Sequence, residues 1–183
     1  CEYQISIELP TQIQSNKTFK IIVMAYFTED WSGSPGPDTC TLIHSRFYSS
    51  YVKNKIDETT YEGGFGSNGR SQTLYQSSSH AQGGVVQVNR GRWVQYMDII
   101  NTDDMTISAT GVKGIELYLG YNSLTTAGKI YIGEVKILDP DNVNLIENSR
   151  FDRGTHIRDI YGGVFDSSQG YGSYVIEEVP NLT

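Results

Sequence analysis

Trp31 stands alone in a stretch of prolines and glycines, residues 29–39 (EDWSGSPGPDT), with no apolar neighbour along the chain. An indole presented in this way offers a flat platform. The apolar C–H face of a sugar stacks on such a ring, and amide or carboxylate groups beside it take the hydroxyl rim. A second group of the same character follows. The run 40–53 alternates His44, Arg46 and Tyr48 with Ile43, Ser45 and Phe47, and the polar stretch 54–84 adds Tyr61 and Tyr75. Brought to one sheet face or loop rim, Trp31, His44, Arg46, Tyr48, Tyr61 and Tyr75 would form a glycan-binding surface, with Tyr51 and Gln72 beside them. Each has a plainer reading too: Trp31 as a loop anchor folded back on the rim, the tyrosines as cross-strand packing, since Tyr is a favoured strand residue.

Catalytic chemistry does not assemble. Zinc sites need closely spaced His or Cys ligands, and His44, His80 and His156 lie far apart. There is no Gly-x-Ser-x-Gly elbow, phosphate loop or dinucleotide fingerprint. A glycosidase needs two carboxylates at a set separation, a test that 21 acids make uninformative. No catalytic residue and no organic cofactor is therefore expected. A small glycan hydrolase or lyase stays a minority alternative, requiring a pocket that gathers a His with two carboxylates. Asp103, Asp104, Asp139, Asp141 and Glu147 raise the possibility of a structural calcium, which takes six to eight oxygen ligands; solvated loop acids are the other reading.

Charge narrows the partners. A net charge of −7 with only 14 scattered Lys and Arg argues against nucleic acid, whose phosphates need clustered cations. No run approaches the ~18 apolar residues of a membrane span. Cys1 and Cys40 are the two cysteines, and they could pair if the chain is secreted, although sequence does not fix pairing. Cys1 fits a lipoprotein start or, because residues 1–9 already alternate like a strand in mid-course, a cut end within a larger polypeptide.

The elements that must position these groups read as strands. Ile5, Ile7 and Leu9 alternate up to Pro10. Residues 18–28 (TFKIIVMAYFT) are apolar on both parities, which predicts a central strand covered on both faces. Later strands start at Trp93, run through 114–119 and end with 130–137, separated by Gly, Asn, Asp and Thr clusters. No segment keeps a 3.6-residue period. The expectation is an all-β, two-sheet antiparallel β-sandwich over residues 1–139. Phe19, Ile21, Val23, Trp93, Met97, Ile115, Leu117, Ile132 and Val135 should be mostly buried, with no helix longer than three turns. Residues 140–183 are expected to form a Gly/Tyr-rich extension ending in a strand at 174–179, or the truncated start of a following module.

Residues 91–139 carry a more specific signal. A Gly-x-Trp strand, a strand of the form i-x-l-y (Ile115 to Tyr118) and a closing strand (Ile130 to Ile137) come in the order found in jelly-roll carbohydrate-binding modules. Such modules are appended to glycan-degrading enzymes and to phage tail and baseplate adhesion proteins. Residues 18–28 resemble the second strand of the same modules, and residues 144–152 (NLIENSRFD) resemble their opening phrase. Gly133 and Glu134 depart from the pattern, standing where two acids are usual. The resemblance implies a jelly roll that binds polysaccharide or cell-surface glycan without catalysis, outside the cell, at its surface or on a virion. It also implies a packed role for Trp93 and a structural calcium near the first and last strands. The alternative it leaves is a structural or assembly module of a virion or surface filament, with 161–183 docking on a neighbour.

Overall fold

The computed structural model describes residues 2–13, 16–49, 54–55, 61–62, 73–76, 85–105, 111–120, 125–146, 149–150 and 164–166. In chain order the strands are β1 (Glu2–Ile13), β2 (Thr18–Phe27), β3 (Ser32–Gly33), β4 (Pro35–Gly36), β5 (Thr39–Thr41), β6 (Ile43–Tyr48), β7 (Asn54–Lys55) and β8 (Tyr61–Glu62). They continue as β9 (Thr73–Gln76), β10 (Val85–Gln87), β11 (Trp93–Asn101), β12 (Val112–Leu119), β13 (Thr125–Ala127), β14 (Ile130–Leu138) and β15 (Val164–Asp166). Among the described residues the one helical segment is a 3-10 turn, Thr102–Asp104. The chain is all-β, as its missing 3.6-residue period and its β-branched and aromatic runs require.

Two sheets dominate. One has five strands in the order β15-β1-β12-β6-β9, the other three in the order β11-β2-β14, and smaller sheets are built from β10-β5-β4, β13-β3 and β7-β8. Strand pairing in each is antiparallel. The two large sheets share one apolar core. β2 contributes Phe19, Ile21, Val23, Ala25 and Phe27; β14 contributes Val135 and Ile137; Ile7, Ile43, Phe47, Ile115 and Leu117 come from the five-stranded sheet. Phe19 meets Phe47 edge to face across the interior, with centroids 5.3 Å apart. Each such side chain, fully withdrawn from water, contributes about 1.5–3 kcal/mol. The core reaches past residue 139, because Ile146 is buried in it and Leu145 donates its N–H to the Ile137 carbonyl. β15 pairs with the outer edge of β1.

Strand parity corrects several expectations. Phe19, Ile21, Val23, Ile115, Leu117 and Val135 are buried, but Ile132 is only half-buried against the core. Trp93 and Met97 are not core residues. On β11 it is Tyr96 and Ile100 that are buried, whereas Met97 and Ile99 are 50% and 53% exposed and Trp93 is half-exposed. Both parities of β11 hold large apolar residues, and the inward one includes the polar Asp98, so apolarity alone points the wrong way. β2 is central, as its sequence predicts, but its second face is only half-covered: Ile22, Met24 and Tyr26 are half-buried. The proposed strand at 174–179 lies outside the described residues, as does Cys1. Cys40 is buried in the core.

Candidate functional site

Trp31 is 1% exposed, which overturns its reading as an exposed platform. Its ring meets Phe27 edge to face at 5.1 Å, and its indole N–H donates to Thr125 Oγ1 at 3.2 Å. The loop folds inward for local reasons. The Trp31 N–H closes a turn on the Thr28 carbonyl, and Gly128, at φ +75°, lets the Trp31 backbone approach so closely that a Cβ there would lie 2.7 Å from its Cα. Arg90 fastens the outside, donating from Nε to the Trp31 carbonyl at 2.9 Å and from Nη2 to the Pro37 carbonyl at 2.8 Å, while pairing with Asp38 at 2.8 Å. An isolated position in sequence says nothing about neighbours in space, and burying an indole offsets the cost of ordering a Pro/Gly loop.

β6 does bring three of the other expected residues together. His44, Arg46 and Tyr48 share one parity, opposite Tyr118, Glu116 and Gly114 of β12. The Tyr48 hydroxyl donates to Glu116 Oε1 at 2.6 Å and the Tyr118 hydroxyl donates to the same oxygen at 3.1 Å. Arg46 Nε donates to His44 Nε2 at 3.3 Å, its guanidinium lies 4.9 Å over the Tyr118 ring, and His44 meets that ring at 5.6 Å. Burial, aided by the adjacent Arg46 charge, lowers the His44 pKa to about 4, so the imidazole is neutral. Burial, then the Glu116 charge, pushes the Tyr118 hydroxyl up. This cluster is not a surface. His44, Tyr48, Glu116 and Tyr118 are buried and Arg46 half-buried, so the expected sheet-face group is withdrawn from solvent. Tyr61 lies on β8, paired with Lys55, and Tyr75 on β9, opposite Phe47. Neither is brought to the Trp31 loop by any described pairing.

The exposed rings lie on the outward face of the three-stranded sheet. Trp93 of β11, Tyr26 of β2 and Tyr131 of β14 stand in direct register across all three strands. Tyr26 meets Trp93 at 5.7 Å and Tyr131 at 6.4 Å, both edge to face, and all three are half-exposed. The next row along the strands is Gln95, Met24 and Glu134. Glu134 is held by Lys136 at 2.8 Å and by Arg150 at 3.6 Å. Beyond lie the exposed Met97 and Ile99. The row was hidden in the sequence because its members are spread over residues 26–131. Only pairing β2 to β11 and β14 in the observed register aligns them.

Among the described residues no three His, Cys, Asp or Glu side chains are grouped to hold a metal ion. Asp103 Oδ1 accepts the Asn16 N–H from a distant part of the chain, and Asp139 Oδ1 accepts those of Asp141 and Val143, closing a local turn. Glu147 lies outside the described residues. No described helix is long and apolar enough to cross a membrane. Comparison with known proteins finds no matching family model, no matching curated protein and no matching solved structure.

Proposed function

We propose that this chain is a non-catalytic polysaccharide-binding module of a larger extracellular, cell-surface or virion protein. In this reading its two large sheets are the faces of a jelly-roll sandwich, and the glycan lies on the outward face of β11, β2 and β14. The observation that carries the reading is the row Trp93–Tyr26–Tyr131, three half-exposed rings in register across one sheet face with centroids 5.7 and 6.4 Å apart. Aromatic faces take the C–H surface of the sugars, while Gln95 and Glu134 offer an amide and a carboxylate to the hydroxyls. Affinity electrophoresis through gels containing neutral wall and plant polysaccharides should retard the chain. Trp93→Ala should weaken binding at least about tenfold, equivalent to about 1.4 kcal/mol. Binding should survive EDTA, because the ring row needs no metal. Absence of retardation by any polysaccharide in a broad panel would sink the reading.

The exposed Met97 and Ile99 favour a second reading, in which the same face docks on protein in a virion or filament and 161–183 adds to that contact. In that case sedimentation should show concentration-dependent association that Met97→Glu abolishes, and Trp93→Ala should leave polysaccharide gels unchanged.

A further inference from the structure

We infer that Gly133 is the positioning residue of the aromatic row: its missing side chain is the seat in which the Trp93 indole lies. β14 slips register against β2 between Ile132 and Glu134, so the extra residue, Gly133, sits in a bulge on the outward face. A Cβ at Gly133 would come within 3.0 Å of Trp93 Cζ3, 3.2 Å of Cη2 and 3.7 Å of Cε3. All three atoms belong to the six-membered ring of the indole. Trp93 stands on β11, and β2 lies between it and β14. The indole therefore reaches over the middle strand and comes to rest on the backbone at Gly133. Glycine is not required here by its backbone, because Gly133 is not among the residues with left-handed φ. What it provides is space, as strand glycines do where another group approaches closely.

The contact sets how high the Trp93 ring stands above the sheet, and hence whether it lines up with Tyr26 and Tyr131. A methyl at 133 makes the ring give by a few tenths of an ångström, and a β-branched side chain displaces it further. The functional consequence rests on the glycan-binding reading; the structural one does not.

Gly133→Ala and Gly133→Val in the full chain, labelled with 5-fluorotryptophan, separate the two. The chain has two tryptophans, so fluorine NMR gives two resonances, assigned through Trp93→Phe, with the buried Trp31 as internal control for the fold. The Trp93 resonance is expected to move and gain solvent exposure in both variants, more with Val, while the Trp31 resonance stays in place. Affinity for whichever polysaccharide retards the wild type should fall roughly three- to tenfold with Ala and further with Val. In a Trp93→Phe background, which lacks the crowded ring atoms, Gly133→Ala should change neither melting temperature nor affinity, a coupling that a bulge glycine acting only through the backbone would not show. An unmoved Trp93 resonance in both variants, or an equal penalty in the Trp93→Phe background, overturns the inference. So does a moved ring with undiminished affinity. If the wild type binds no polysaccharide but the resonance moves as expected, the glycan reading fails and the seat at Gly133 stands.

Discussion

Asp98 is a carboxylate on the core side of the edge strand β11, opposite the buried Ile21, and among the described residues its Oδ2 is buried without a hydrogen-bond partner. Burial raises its pKa above the ordinary 3.8, opposed by the Ile99 N–H. An acid whose folded pKa is raised binds protons on folding, so stability falls as pH rises from the unfolded value through the folded one. Asp98→Asn should therefore stabilise the chain at pH 7 by about 1 kcal/mol, and its gain over wild type should shrink as pH approaches 4. Urea titrations at several pH values check this; equal stability of the two proteins at pH 7 would refute it. The residue still has a use, since an inward charge discourages edge-to-edge pairing of β11. His44 has the opposite sign. Its folded pKa, about 4, lies below the free value of 6.5 because of burial and Arg46. The unfolded chain thus protonates first, and the contribution is complete above pH 6.5 and lost as pH falls towards 4. The loss should approach about 1.4 kcal/mol per pH unit in that window. His44→Gln keeps an acceptor for Arg46 and should flatten that part of the profile; an unchanged slope would show that the imidazole is not the group responsible.

At the scale of elements, the contact between β6 and β12 is fixed on one side by Phe47, Ile115 and Leu117 and on the other by the Glu116 carboxylate with its two tyrosine hydroxyls. A buried carboxylate that loses a donor keeps its desolvation cost, so Tyr48→Phe should destabilise by about 1–3 kcal/mol and Tyr118→Phe, whose bond is longer, by less. Chemical denaturation of both variants tests the order, and a larger loss from Tyr118→Phe would reverse the assignment of the stronger bond. Much of the element plan was legible. β2 reads as central because both its parities are apolar, and β12 and β14 read as strands from their β-branched and aromatic runs. Facing was not legible for β11, whose outward Trp93, Met97 and Ile99 are more apolar than its inward Val94, Tyr96, Asp98 and Ile100. Nor was it for the Trp31 loop, where composition correctly announced turns but not that Phe27, Thr125 and Gly128 would draw the indole inward. The alternation of His44, Arg46 and Tyr48 placed them rightly on one face. What they pack against depends on Glu116 and Tyr118, whose side chains follow 68 or more residues later in the sequence than Tyr48.

At the scale of the whole molecule, one large sheet turns a buried polar network away from the shared core and the other turns a half-exposed row of rings outward. The second face is also locally basic, because Glu134 is flanked by Lys136 and Arg150 and Lys20 shares the outward parity of β2, while the chain as a whole carries −7. These two facts give opposite expectations for two ligand classes. A neutral glycan held by ring stacking and uncharged hydrogen bonds gains little from long-range fields, so its dissociation constant should change less than about twofold between 50 and 500 mM salt, over which the screening length falls from well above 10 Å towards 4 Å. An acidic polysaccharide approaching a net-negative protein is repelled at low salt, and its binding should tighten as salt is added. If it were instead held by Lys136 and Arg150 against that repulsion, its binding should weaken as salt is added. Isothermal titration at three ionic strengths distinguishes the cases. A steep loss of affinity with salt, retained in Trp93→Ala and removed by Lys136→Gln, would assign recognition to the cations and leave the ring row as packing; a flat profile that collapses only with Trp93→Ala is the outcome the stacked rings require.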